Sequence, residues 1–412
     1  MPRYPFVVTQ LFYLALMIGT SATALAMPET SFNSLPLTVE EARISKLREL
    51  HPEVINRYSD IVKHTKSAID QAGNYDAMRQ ITNLAGKNLW EAAKRTVAEE
   101  EIFDDRSLYW SRLSLTAYLR ANQFAVTLNS SQRISLIETL ENSSRGRESI
   151  AFTDGPAKKI LVTGFDPFLL DKHIDQSNPS GIVALKLDGQ ILTRKQTSAE
   201  IQTVVFPVRF EDFDAGEVEK LIEPLLKTGQ VDMIVTVSMG RTDFDLEHFP
   251  GRRRSSRSPD NLNVDSGGND TEPKIPLLNG AAIEGPEFIE FSLPYRAMQQ
   301  VMIDAKQGIG ERQGKMPYPY LINDNRTVTT LDGKIEARTL DELKNATAVQ
   351  GSGGGYLSNE ISYRSVRLAH QYEPLIPIGH IHTPRIERHD AERLKIISDQ
   401  VTEMIRYATI EI

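Results

Sequence analysis

Cysteine is absent from the 412 residues. That excludes disulfides, thiolate chemistry, iron–sulfur clusters and cysteine-ligated zinc. A positive charge excess is missing too: the formal net charge is −8, whereas a general nucleic-acid binder is normally basic. No nucleic-acid partner is therefore expected. What is present, 40% hydrophobic and 25% charged residues, is ordinary for a soluble globular protein. At this length two domains are expected rather than one.

The first 26 residues read as a secretory signal. Arg3 gives a weak positive start, an apolar stretch runs from Phe6 to about Met17, and Ala24-Leu25-Ala26 fits the small-x-small cleavage pattern. The competing reading is an uncleaved membrane anchor, since the apolar stretch approaches spanning length. Cleavage after Ala26 is favoured, because the small residues sit where the peptidase needs them. The expected location is exported, periplasmic or secreted, with no stable membrane insertion after cleavage. A chain without thiols suits an oxidising compartment.

Residues 27–156 read as a helical region. Leu47, Leu50, Val54 and Ile55 recur at helical spacing, as do Leu89, Ala92, Ala93 and Val97. The polar stretch Asn142 to Gly146 closes it. Nothing in it converges on chemistry; its apolar positions read as core, and a docking role is the minority reading.

The character changes over residues 157–412. Ile160–Gly164, Ile201–Phe206 and Met233–Val237 are strand-like apolar runs. Helices are predicted from Asn178 (N-cap) with Pro179 at the first helical position, from Ala215 to Lys227, and from Asp390 to Tyr407. Strands alternating with helices predict an α/β domain with a mostly parallel sheet. Two polar segments, Ser255 to Pro276 and Asn323 to Gly354, read as functional loops or insertions.

One hydroxyl, Ser358, follows the glycine-rich turn Gly353–Gly355, and His382 lies a short way downstream. A serine is a poor nucleophile until a base takes its proton, and histidine is the usual base. The glycines allow backbone N–H groups to face a developing oxyanion. An ordinary turn serine is the competing reading of Ser358.

Further motifs turn this pairing into a family resemblance. Val162-Thr163-Gly164-Phe165-Asp166-Pro167-Phe168, Asn178-Pro179-Ser180, Gly240-Arg241-Thr242 with Leu246-Glu247, Arg257-Ser258-Pro259-Asp260-Asn261, Gly285-Pro286 and Ser292-Leu293-Pro294 stand in order. From about Lys159 to the C-terminus the chain resembles the type I pyroglutamyl peptidases (pyrrolidone-carboxylate peptidases). The resemblance implies a three-layer α/β/α fold and removal of N-terminal pyroglutamate from peptides. It implies Glu247 as the residue orienting the base, His382 as base and Ser358 at the nucleophile position. It also places Phe165 and Phe168 beside the pyrrolidone ring, Arg257 near the nucleophile, and Asn359 next to it in the binding site. The expected partner is a peptide with a blocked N-terminus. No cofactor or metal is called for, and a homo-oligomer is compatible with the chain.

The chain departs from the family where Ser358-Asn359-Glu360 stands in place of Cys-Asn-His. A cysteine beside histidine can rest as thiolate and serine cannot, so the base must move the proton during attack. The alternative reading is a catalytically inactive homologue that binds peptides or an envelope component. Glu360 reads as salt-bridged or solvated, with Arg257 and Arg241 as candidate partners. Arg252-Arg253-Arg254 with Arg257 is a basic cluster with an anion-binding reading, and a solvated loop flanking the pocket is the favoured reading. His380 and His382 have a loose metal spacing without a convincing third ligand.

Overall fold

The computed structural model describes residues 34–306 and 319–412; the secretory-signal reading of residues 1–26 lies outside them. Seven strands make the central sheet: β1 (Lys158–Phe165), β2 (Ile191–Arg194), β3 (Thr197–Phe206), β4 (Met233–Met239), β5 (Phe244–Glu247), β6 (Ile322–Asn325) and β7 (Ile378–Thr383). Their spatial order is β2-β3-β1-β4-β7-β5-β6. The central pairs β3·β1, β1·β4 and β4·β7 are parallel, as is β5·β6. β2 is antiparallel to β3, and β5 to β7.

Both faces of the sheet are buried, and the period-2 alternation of strands divides them. Ile160 and Val162 of β1 join one cluster with Met233 and Val235 of β4. Leu161 and Ile234, one residue out of phase, join the other. Helices Pro179–Leu187 and Ala391–Ala408 cover the first face; Glu217–Lys227 and Leu357–Tyr372 cover the second. The result is the predicted three-layer α/β arrangement with a mostly parallel sheet, preceded by helices.

The helix starts have local causes. Asn178 Oδ1 accepts the Ser180 N–H at 3.1 Å with Pro179 at the first helical position, and Asp390 Oδ1 accepts the Arg393 N–H at 3.0 Å. The helix predicted from Ala215 to Lys227 runs Glu217–Lys227, and Gly216 at φ 81° separates it from a short helix, Phe210–Asp214, that was not predicted.

Before the sheet, helices run from Val39 to Ser143, the longest being Tyr75–Ala98, Arg106–Ala121 and Ser130–Ser143. Leu47, Val54, Ile55, Leu89, Ala92, Ala93 and Val97 are buried, but Leu50 is 52% exposed. Leu89, Trp90 and Leu140 share a cluster with Ile160, Val162 and Ile201 of the sheet. Residues Ser34–Ile412 accordingly form one compact unit.

The segment from Asn323 to Gly354 is not the irregular loop its polarity suggested. It finishes β6 and then folds Thr327–Thr330, Gly333–Glu336 and Ala348–Gln350 into a small antiparallel sheet. Val328, Ala337, Leu343 and Ala348 pack there against Phe249 and Phe288. Its β-branched Thr and Val residues suit a half-buried strand, and their alternation with polar residues hid the signal. Among the described residues, no helix is long and apolar enough to cross a membrane.

Candidate active site

Three parallel strands deliver their C-terminal ends to one place, as open α/β sheets do at ligand sites. β1 ends in Phe165, β4 in Ser238 and Met239, and β7 in His382 and Thr383. His382 Nδ1 lies 2.5 Å from Glu247 Oε1, and Glu247 is buried at the end of β5. A carboxylate only accepts, so Nδ1–H donates and Nε2 is left as the basic nitrogen. Two of the three sequence-predicted roles, orienter and base, are thus joined by a buried hydrogen bond.

Ser358 is the second residue of the helix Leu357–Tyr372. The N-cap, Tyr356, makes no side-chain cap, which leaves first-turn N–H groups for an anion or oxyanion. Ser358 Oγ donates to the Gly353 carbonyl at 3.2 Å. No hydrogen bond joins Ser358 to His382 among the described residues. Gly353 lies between the two groups: a Cβ there would sit 2.4 Å from Glu247 Oε2 and 3.4 Å from His382 Cε1. Only glycine allows this approach. Gly240 meets His382 in the same way, with a Cβ position 2.7 Å from His382 Cβ.

Ser358, Phe165, Phe168, Asn178, Ser238 and Tyr356 line one small cavity with Val208 and Met239. Its volume is about 30 Å³, water-sized rather than ligand-sized. Phe168 and Tyr356 stack across it at 6.3 Å between ring centroids.

Arg257 and Asn359 do not reach this cavity. Arg257 is exposed on its loop. Asn359 is buried, with Nδ2 donating to the Gly251 carbonyl at 2.7 Å and Oδ1 accepting the Gly251 N–H at 2.8 Å. The Asn359 amide is used to hold the loop. Glu360 pairs with Arg254 and Arg364, neither of which is a partner the sequence suggested. Burial, which opposes its charge, is outweighed by Arg364 and Arg254, and the Glu360 carboxyl is held below its usual range. Arg254 also binds Asp214, and Arg253 binds Glu287, so these members of the basic cluster are already paired.

Sequence reasoning missed how the helical region reaches the site. Asp166, inside the Gly-Phe-Asp-Pro-Phe motif, is buried and pairs with Arg112 at 2.6 Å and Arg145 at 2.5 Å. Asp105 Oδ2 accepts the Asn178 N–H at 3.0 Å, and burial pushes the Asp105 carboxyl up to about 8. Arg43 donates to the Asn261 carbonyl at 2.6 Å, and Asn261 donates to the Pro167 carbonyl at 2.9 Å. The loop from Asp166 to Asn178, which carries the cavity residues Phe168 and Asn178, is therefore clamped by residues from the preceding helical region. The chance of finding this lay in Arg145 alone, in a stretch read as a polar terminator.

Fold and site together define a three-layer α/β protein with a buried carboxylate–histidine pair at its strand ends and a serine at a helix N-terminus beside them. The chain belongs to the PA0049 family: the model described as the PA0049 C-terminal domain matches residues 159–301 and 323–387, just over half the chain. The PA0049 N-terminal domain matches residues 22–141. An uncharacterised protein, PA0049 of Pseudomonas aeruginosa, is 27% identical over 390 residues, covering 76% of this chain and 70% of that protein. A pyrrolidone-carboxylate peptidase of Alkaliphilus oremlandii is 23% identical over 257 residues, covering 62% of this chain and 91% of that one. A mutant pyrrolidone carboxyl peptidase from Pyrococcus furiosus covers 62% of this chain and 99% of its own, with 22% identity and a TM-score of 0.40. The chain is a distant homologue of the pyrrolidone-carboxylate peptidases within part of its length.

Proposed function

We propose that this protein is an exported hydrolase that removes N-terminal pyroglutamate from peptides. Ser358 attacks the acyl carbon, His382 Nε2 takes the Ser358 proton and passes it to the leaving amine, and Glu247 stabilises the imidazolium. N–H groups of the first turn of Leu357–Tyr372 stabilise the oxyanion. Phe165 and Phe168 hold the ring. Water then repeats the sequence on the acyl-serine and regenerates the enzyme. The observation that carries this reading is the buried His382–Glu247 pair packed against Gly353, whose carbonyl receives the Ser358 hydroxyl.

Turnover of a pyroglutamyl reporter amide by the purified chain tests it, with Ser358→Ala and Ser358→Cys alongside. Turnover lost in Ser358→Ala supports the mechanism; equal turnover in the unmutated chain and Ser358→Ala refutes the serine nucleophile. The export part is tested by sequencing the N-terminus of the cell-made protein, which is expected to start after Ala26. One observation favours a second reading, a non-catalytic binder of blocked peptide N-termini: among the described residues the Ser358 hydroxyl bonds the Gly353 carbonyl and makes no hydrogen bond to His382. Binding of a pyroglutamyl peptide without turnover, lost on changing Phe165 or Phe168, would select that reading.

A further inference from the structure

Ser238 at the end of β4 lines the same cavity as Ser358, Phe165 and Phe168. It ends a short chain of buried hydrogen bonds. Ser238 Oγ is 2.8 Å from His380 Nε2, His380 Nδ1 is 2.7 Å from Thr236 Oγ1, and Thr236 Oγ1 is 3.1 Å from the Gly379 carbonyl. The strand register pairs Thr236 with His380 and Ser238 with His382, which brings these side chains together.

The direction of each bond follows from its far end. A carbonyl only accepts, so Thr236 gives its single proton to Gly379. Thr236 Oγ1 is then the acceptor for His380 Nδ1–H. Burial, and after it the neighbouring His382, holds the His380 pKa well below its ordinary value, so the ring is neutral. A neutral imidazole protonated at Nδ1 has a bare Nε2, and Ser238 must donate to it. With its proton given to His380, Ser238 Oγ has only lone pairs left to offer a ligand. Reversing the chain would take from Thr236 its hydrogen bond to the Gly379 carbonyl.

We infer that Ser238 is a specificity-determining residue that accepts a hydrogen bond from a ligand N–H, with Thr236 and His380 as its positioning residues. The ligand class it selects is a cyclic secondary amide; a ring with oxygen in place of N–H meets two facing sets of lone pairs. Ser238 is not a second nucleophile, since His380 has no carboxylate behind it and resists the proton it would have to take. The inference rests on the pyroglutamyl reading of the cavity.

The test is equilibrium binding to the full chain carrying Ser358→Ala, so that no turnover intervenes. The ligands are pyroglutamamide and its ring-oxygen counterpart, the lactone carboxamide. The lactam is expected to bind at least about tenfold tighter, and Ser238→Ala is expected to bring the two within about twofold. If the lactam binds and the preference survives Ser238→Ala, or never existed, this inference falls and the pyroglutamyl reading stands. If neither ring binds, that reading falls and the inference with it. Nitrogen-15 NMR of His380 gives a check without ligand: a proton on Nδ1 is expected, and a proton on Nε2 overturns the assignment.

Discussion

The helices between Val39 and Ser143 contribute no side chain to the Ser358 cavity, whereas every residue lining it comes from the α/β region. Yet the loop that carries Phe168 and Asn178 is held from the helical side by Arg112, Arg145 and Asp105. Chemistry-bearing groups sit on strand ends and a helix N-terminus, where the backbone is rigid. The added helices supply buried charge that fixes the loop after β1. A region without a reactive group can thus decide the shape of a pocket it never lines.

The contrast can be broken from either side, and the largest effect is expected on the α/β side. Glu247→Gln removes the acceptor that sets the His382 tautomer, and pyroglutamyl turnover is expected to fall on the order of 10³-fold with the fold intact. Steady-state kinetics beside circular dichroism would expose a merely structural effect as a joint loss. From the helical side, Arg145→Ala leaves Asp166 buried with half its charge partners. Denaturant unfolding should then show a loss of about 3–5 kcal/mol; a change below about 1 kcal/mol would mean the clamp is idle.

Gly353→Ala puts a methyl 2.4 Å from Glu247 Oε2. About 1–3 kcal/mol of stability should be lost, and turnover should fall further than stability does. An alanine variant with full activity would show that Gly353 is not packed on the pair.

The smallest effect concerns pH. The Asp105 carboxyl is pushed up to about 8 by burial, above the roughly 3.9 of an unfolded chain. Between those values the native state keeps a proton that the unfolded state has lost. Its contribution to stability is therefore complete below about pH 4 and declines as pH rises to about 8, by at most about 1.4 kcal/mol per pH unit. Asp105→Asn should flatten that slope in unfolding curves taken across the window. An unchanged slope would assign it to another group.

Much of the α/β region was legible because its signals are local. Apolar runs such as Ile160–Gly164 and Met233–Val237 are strands buried on both faces, and Asn178-Pro179 and Asp390 cap helices with their own side chains. The order of Glu247, Ser358 and His382 was also readable, and the first and last are in contact. What stayed hidden depends on pairings far apart in sequence. Arg254 was indistinguishable from Arg252, Arg253 and Arg257 until Glu360 and Asp214 were placed beside it. Arg145 looked like solvent-facing polarity until Asp166 met it in the interior. His380 read as half of a weak metal motif, because nothing local says that Thr236 and Ser238 flank both its nitrogens.

The central claim, that Ser358 is a nucleophile served by the Glu247–His382 pair, is tested most directly by trapping the acyl-enzyme. The purified chain would be mixed with an activated pyroglutamyl ester, quenched in acid and measured as intact protein and as peptides by mass spectrometry. The account predicts one added pyroglutamyl group, located on Ser358, absent in Ser358→Ala and slow to form in His382→Ala. No adduct under conditions of ester turnover, or an adduct on another residue, would contradict it.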